Sequence, residues 1–90
     1  MSENIITIRT GKSCSRCHNL MSVMRGSKIP FHEIKLDENP EEVARLKGKY
    51  GMVMLPVVSY GDDEFDGAHM SSILKIVKEL KNSMKEKIAA

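Results

Sequence analysis

Ile5-Ile6-Thr7-Ile8-Arg9-Thr10-Gly11-Lys12-Ser13-Cys14-Ser15-Arg16-Cys17-His18-Asn19-Leu20-Met21 is the stretch that decides the fold. It opens on β-branched residues, Ile5 to Ile8, a strand pattern that ends before Gly11. It turns through Ser13 into a run in which Cys17, Leu20, Met21 and Met24 recur at three and four residues, the period of a helix with one apolar face. Gly26 and Pro30 close that helix. The only two cysteines of the chain therefore fall where a strand gives way to a helix.

Downstream, residues 31–36 alternate Phe31, Glu33, Lys35 against His32, Ile34, Leu36 and read as a second strand. Asn39-Pro40-Glu41-Glu42 is a helix start: a cap residue, proline at the first helical position, then acids at the positive end of the dipole. Val43, Leu46, Lys47 and Tyr50 continue that helix to Gly51. Leu55-Pro56-Val57-Val58-Ser59-Tyr60 reads as a third strand, Gly61-Asp62-Asp63 as a hairpin turn, and Glu64-Phe65-Asp66 as a short fourth strand broken by Gly67. A last helix starts at about His69, with Ile73, Val77, Leu80, Met84 and Ile88 as its apolar stripe. The order β-α-β-α-β-β-α makes the first two strands parallel through a right-handed crossover and the last two antiparallel. The expected architecture is α/β: a four-stranded mixed sheet with three helices on its two faces.

Length and composition bound the function. Ninety residues form a single domain, 1–90, with one modest core. The chain has no Trp, two Phe and two Tyr, so aliphatic residues and seven Met must fill that core. Fourteen basic residues against twelve acidic ones give a net charge of +2, too balanced for a nucleic-acid footprint. Lys75, Lys78, Lys81, Lys85 and Lys87 form the solvated face of the last helix. No window has the length of a membrane span. Met1-Ser2-Glu3-Asn4 shows no basic and apolar leader pattern, so the expected location is a reducing cytoplasm, and the chain is read as a monomer. A disulfide closing so small a loop staples little of a fold, and cytosolic cysteine pairs are more often chemical than structural.

Cys14 falls at the start of a helix, where unpaired backbone N–H groups and the dipole favour a thiolate, and Lys12 and Arg16 add positive charge. A thiol so placed has its pKa lowered from about 8.5 to roughly 3.5–7.5. Cys14 is the expected nucleophile. Cys17, one turn later and more buried, is the expected resolving thiol. Pro56 cannot donate a ladder hydrogen bond, so it belongs at a strand start. In the cis form it would face the cysteine pair and leave the backbone before it free to pair with an extended substrate. Among the methionines, Met21 and Met24 read as core, while Met52 and Met54 are placed to line a groove.

Two other chemistries use the same residues. A zinc site needs two more ligands, and His18, His32 and His69 supply no second paired spacing. Cys14-Ser15-Arg16-Cys17-His18 also fits the c-type haem attachment pattern, which requires an oxidising compartment and a distal ligand. A metal- or haem-binding module is thus the remote alternative; the favoured reading has no metal and no bound cofactor.

With these residues in place, the chain resembles the glutaredoxin branch of the thioredoxin superfamily over roughly residues 4–82. Within that branch it resembles the redoxins that serve ribonucleotide reductase, the NrdH type. The resemblance lies in Ile8-x-Thr10, Cys14-x-x-Cys17-His18, Leu55-Pro56-Val57-Val58, and an acidic hairpin followed by Gly67. It implies a thioredoxin fold with Pro56 cis and reduction of protein disulfides through Cys14 and Cys17. Ribonucleotide reductase is the implied target, and thioredoxin reductase or glutathione the reductant. It assigns substrate or partner contacts to Lys12, Ser15, Arg16, Leu55, Pro56, Asp66 and Gly67. The alternative within the branch is a glutathione-dependent glutaredoxin. Against that alternative, Ser15-Arg16 stands where most glutaredoxins have Pro-Tyr, and Met54-Leu55 where they have Thr-Val. Lys12 lies one residue closer to the first cysteine than the family's usual cation. The Gly-Gly and acidic pair that hold glutathione are reduced to Asp66-Gly67-Ala68. The NrdH type in turn usually has an aromatic residue where this chain has Ala68.

Overall fold

The β-branched run beginning at Ile5 forms strand β1, Ile6–Thr10, which ends before Gly11 and pairs along its whole length with its parallel partner. A computed structural model describes the backbone of residues 5–89 and the side chains of residues 5–82. β1 leads into helix α1, Ser15–Gly26, and parallel strand β2, Phe31–Lys35. A 3-10 turn at Leu36–Glu38 precedes helix α2, Pro40–Tyr50. Antiparallel strands β3, Val57–Tyr60, and β4, Asp63–Phe65, follow. A second 3-10 turn, Gly67–His69, opens into helix α3, Met70–Ala89. The strand order in the sheet is β2-β1-β3-β4.

The mixed sheet and three helices are as the pattern of residues predicts; four boundaries move, each for a local reason. β2 stops at Lys35, and Leu36 turns inward to join the core beneath α2. β3 starts at Val57, after Pro56, which has no N–H to give the ladder. β4 spans Asp63–Phe65 because Tyr60 pairs with Asp63 and closes the hairpin earlier, leaving Asp66 outside it. Asn39 occupies the cap position of α2 but makes no side-chain cap; its amide donates instead to the Lys35 carbonyl, 2.8 Å away, across the preceding 3-10 turn.

Strand alternation divides the core in two. Ile6 and Ile8 of β1 and Val58 of β3 pack with Leu20, Met21 and Met24 of α1 and with Ile73 and Val77 of α3. The two methionines are core residues, as expected. On the opposite face, Val57 packs with Leu36 and Leu46, and Ile34, Val43 and Leu55 lie against them. Burying each such side chain is worth about 1.5–3 kcal/mol, and β3, with Val58 on one face and Val57 on the other, ties the two clusters together. Lys75, Lys78 and Lys81 are exposed opposite the buried Ile73 and Val77, as the stripe of α3 requires. The side chains of Met84, Lys85, Lys87 and Ile88 lie outside the described residues.

Arg9 sits on β1 facing α2, only 12% exposed, and is held by charge. Its guanidinium donates to Glu42 of α2 and, at 2.8 Å, to Ser59 of β3. Glu42 also accepts from Arg45, and Glu64 of β4 accepts from Arg45, Lys49 and the Tyr50 hydroxyl, each at 2.9 Å. Hydrogen bonds from Arg45, then Arg9, lower the Glu42 pKa to about 2. Burial acts to raise that of Glu64, but the bonds from Arg45, Lys49 and Tyr50 outweigh it and bring it to about 2. Burial and the bond to Glu64 push the Tyr50 hydroxyl upward. These pairs fasten α2 to the sheet.

Candidate active site

The turn from β1 to α1 aims Cys14 outward. Gly11 begins it, Ser13 takes a left-handed conformation at φ 56°, and Cys14 is the N-cap of α1. The Cys14 side chain does what a capping oxygen normally does: its sulfur accepts the Cys17 backbone N–H at 3.2 Å. The Cys14 carbonyl accepts the His18 N–H, the first bond of the helix. Cys14 and Cys17 are joined as a disulfide with a Cα–Cα distance of 5.3 Å, well inside the span such a bridge needs. Cys14 is half-buried and Cys17 only 1% exposed. One sulfur is therefore open to a partner, and the other waits one turn behind it.

A groove of about 480 Å³ runs past Cys14. One wall is the turn and first helical residues, Lys12, Ser13, Ser15 and Arg16; the other is Val53, Met54 and Leu55. The structure brings Lys12, Ser15, Arg16 and Leu55 together there with Cys14. The Leu55–Pro56 bond is cis, and Pro56 is buried behind the groove wall. Met54 lines the groove; Met52 is 81% exposed and does not.

Asp66 and Gly67 lie behind that wall. Asp66 is 6% exposed, and its carboxylate accepts the Ala68 N–H at 3.2 Å and stands 3.0 Å from His69 Nδ1. The Gly67 N–H donates to the Met54 carbonyl at 2.7 Å. A Cβ on Gly67 would meet the Leu55 carbonyl oxygen at 2.5 Å, and one on Gly11 would meet the Leu55 Cδ1 at 2.5 Å. The two glycines thus make room for Leu55 from either side. The reading of the sequence did not single out Gly11, Ser13 or Val53 for the site. Gly11 was legible only as the end of a strand, since its contact is with a residue forty-four positions away.

Arg16 is shared with a shallow apolar depression between α1 and α3, formed by Leu20, Val23, Met70 and Leu74. His18 is exposed on α1, outside both features. Among the described residues, no group of three or more His, Cys, Asp or Glu is placed to hold a metal ion. No described helix is long and apolar enough to cross a membrane.

Comparison with known proteins agrees with this geometry. The glutaredoxin family model matches residues 5–65. The glutaredoxin-like protein NrdH of Lactococcus lactis subsp. cremoris (strain MG1363) is 28% identical over 72 residues, which is 80% of this chain and 99% of the relative. The solved glutaredoxin-like NrdH-redoxin from Escherichia coli, described as having a thioredoxin-like activity profile, superimposes with a TM-score of 0.62 at 35% identity. That match covers 69% of this chain and 80% of the other. The glutaredoxin from Archaeoglobus fulgidus shares the fold, with a TM-score of 0.64 at 16% identity over 82% of this chain and 86% of its own.

Proposed function

The chain belongs to the glutaredoxin family of thiol–disulfide oxidoreductases, and on that footing we propose that it is a dithiol electron donor of the NrdH kind, reducing protein disulfides with ribonucleotide reductase as its leading target. The observation that carries the reading is the unequal cysteine pair: Cys14 capping α1 in an open groove, Cys17 buried and within bonding reach. The target comes from the similarity to NrdH proteins.

The roles follow from exposure. In the reduced protein the Cys14 thiolate, accepting the Cys17 N–H, attacks the nearer sulfur of a substrate disulfide. A mixed disulfide forms, and the substrate's other sulfur leaves as a thiolate that takes a proton from solvent. Cys17, deprotonated, then attacks the Cys14 sulfur and displaces the second substrate thiolate. The substrate gains two electrons and two protons; the protein ends as the Cys14–Cys17 disulfide and must be reduced by an external dithiol. Lys12, Ser15, Arg16 and Leu55 contact the substrate. Pro56 fixes the start of β3 behind the groove wall, and Asp66 and Gly67 hold that wall in place.

The reductant in this proposal is a flavoprotein disulfide reductase of the thioredoxin reductase type rather than glutathione. In support, the one acid left of the glutathione signature, Asp66, is buried and already bonded to Ala68. The test is turnover of a disulfide substrate with thioredoxin reductase and NADPH against glutathione, glutathione reductase and NADPH. Turnover only with the first is expected; turnover only with glutathione would make the protein an ordinary glutaredoxin. Cys14→Ser should lower turnover at least a thousandfold, by loss of the nucleophile. Cys17→Ser should trap a mixed disulfide visible by mass spectrometry. Full activity of Cys14→Ser would end the proposal.

A further inference from the structure

Two cations line the groove at Cys14, and among the described residues no acid does. Neither Lys12 nor Arg16 forms an ion pair among the described residues, and both are exposed. Arg9, Arg45 and Lys49 by contrast meet Glu42 or Glu64, and of the cations left unpaired among the described residues only Lys12 and Arg16 line the groove. In a protein with a net charge of only +2, two unmatched cations bracketing the open sulfur are a local excess. The opposite wall, Val53, Met54 and Leu55, is apolar and carries no charge of its own.

Resting on the dithiol-donor reading above, we infer that Lys12 and Arg16 select substrate segments in which the attacked cysteine is flanked by Asp or Glu. The occupant is an extended stretch of polypeptide, apolar toward Met54 and Leu55 and acidic toward the turn. Ion pairing to the two cations aligns the disulfide with Cys14 and draws acidic segments to it over neutral ones, an effect that salt screens. An exposed pair is worth only a few-fold, so two together should give about a tenfold preference.

The test uses the full chain, reduced, in single-turnover reaction with three disulfide peptides of matched length. They carry Glu, Gln or Lys on both sides of the cysteine. The second-order rate should run Glu above Gln above Lys, with a Glu to Gln ratio of about ten at low salt that falls toward one near 1 M salt, where the screening length is about 3 Å. Lys12→Gln and Arg16→Gln should each cut the ratio about threefold, and the double variant should abolish it. Because the ratio compares two peptides attacked by the same sulfur, any change in Cys14 reactivity cancels. Equal rates for the three peptides, or a preference that survives the double variant, overturn the inference and leave the donor reading standing. Reduction of none of the peptides overturns both.

Discussion

The two charged regions of this molecule use the same residue types to opposite ends. Between α2 and the sheet, Arg9, Arg45 and Lys49 face Glu42 and Glu64 at hydrogen-bond distance, and Tyr50 adds a neutral donor. Around Cys14, Lys12 and Arg16 face no acid among the described residues. A matched cation holds one element to another and has little left to offer a ligand. A cation without an acid beside it adds no ion pair to the fold and keeps its full charge for a partner. The difference separates side chains that fasten from side chains that recognise, and it predicts which substitutions act on stability and which on substrate choice.

The largest expected effect joins the two properties. Gly67 is buried, and a Cβ there would lie 2.5 Å from the Leu55 oxygen and 2.9 Å from the Leu55 carbonyl carbon, both backbone atoms that cannot rotate aside. Gly67→Ala must push the Met54–Leu55 wall outward, toward the groove, and strain the 2.7 Å bond to the Met54 carbonyl. Overpacking of this kind costs about 1–3 kcal/mol, a fall in Tm of roughly 5–20 °C for a domain of this size. The reduction of protein disulfides should suffer as well, through a raised KM. A variant with unchanged Tm and unchanged KM would show that the wall is not built on Gly67.

Acid separates the regions from the other direction. Glu42 and Glu64 titrate near 2 in the folded protein, well below the ordinary glutamate value near 4.5. Lowered folded-state values mean that the stability they supply is complete above about pH 4.5 and is lost as pH falls toward 2. For Glu64, 11% exposed, the contribution should be about 1–2 kcal/mol after allowing for solvent around its partners. Glu64→Gln should therefore be less stable than the parent at pH 7 by that amount in urea unfolding, and the gap should narrow as pH falls below about 4.5 and close only below about pH 2. Parallel stability curves for the two proteins across that window would remove the matched region's claim to hold α2 in place.

Both regions were unevenly legible in the sequence. The cysteine pair and Pro56 declare themselves because their chemistry depends on short spacing and a single side chain, and local pattern shows both. The element order is equally local: β-branched runs, a Pro-Glu-Glu helix start and a Gly-Asp turn each speak for themselves. The fastening network was invisible, because Arg9, Glu42 and Glu64 lie 33 and 22 residues apart and nothing in the periodicity of β1 marks Arg9 as inward-facing. For the same reason Asp66 reads as a groove residue and folds as a cap: the side chain's direction is set by where β4 ends, and that depends on the pairing of Tyr60 with Asp63. Asn39 misleads in the opposite sense. Its type fits a cap, but the 3-10 turn before α2 offers its amide a nearer carbonyl.

The smallest effect has the opposite sign and comes from the exposed back of α2. Gly48 lies in the last turns of that helix, exposed, and a Cβ there would meet nothing within 4 Å. Its backbone is helical, so alanine adopts the same conformation without strain, and the unfolded chain loses more freedom than the folded one. Gly48→Ala should stabilise the protein by about 0.5–1 kcal/mol, a rise in Tm of roughly 2–8 °C. It touches neither cysteine nor groove, so single-turnover rates with all three peptides should stay as they are. A gain in stability combined with a changed Glu to Gln preference would mean that α2 and the groove are coupled. In that case the division between fastening and recognising charges would fail, because stiffening the one region would have altered the other.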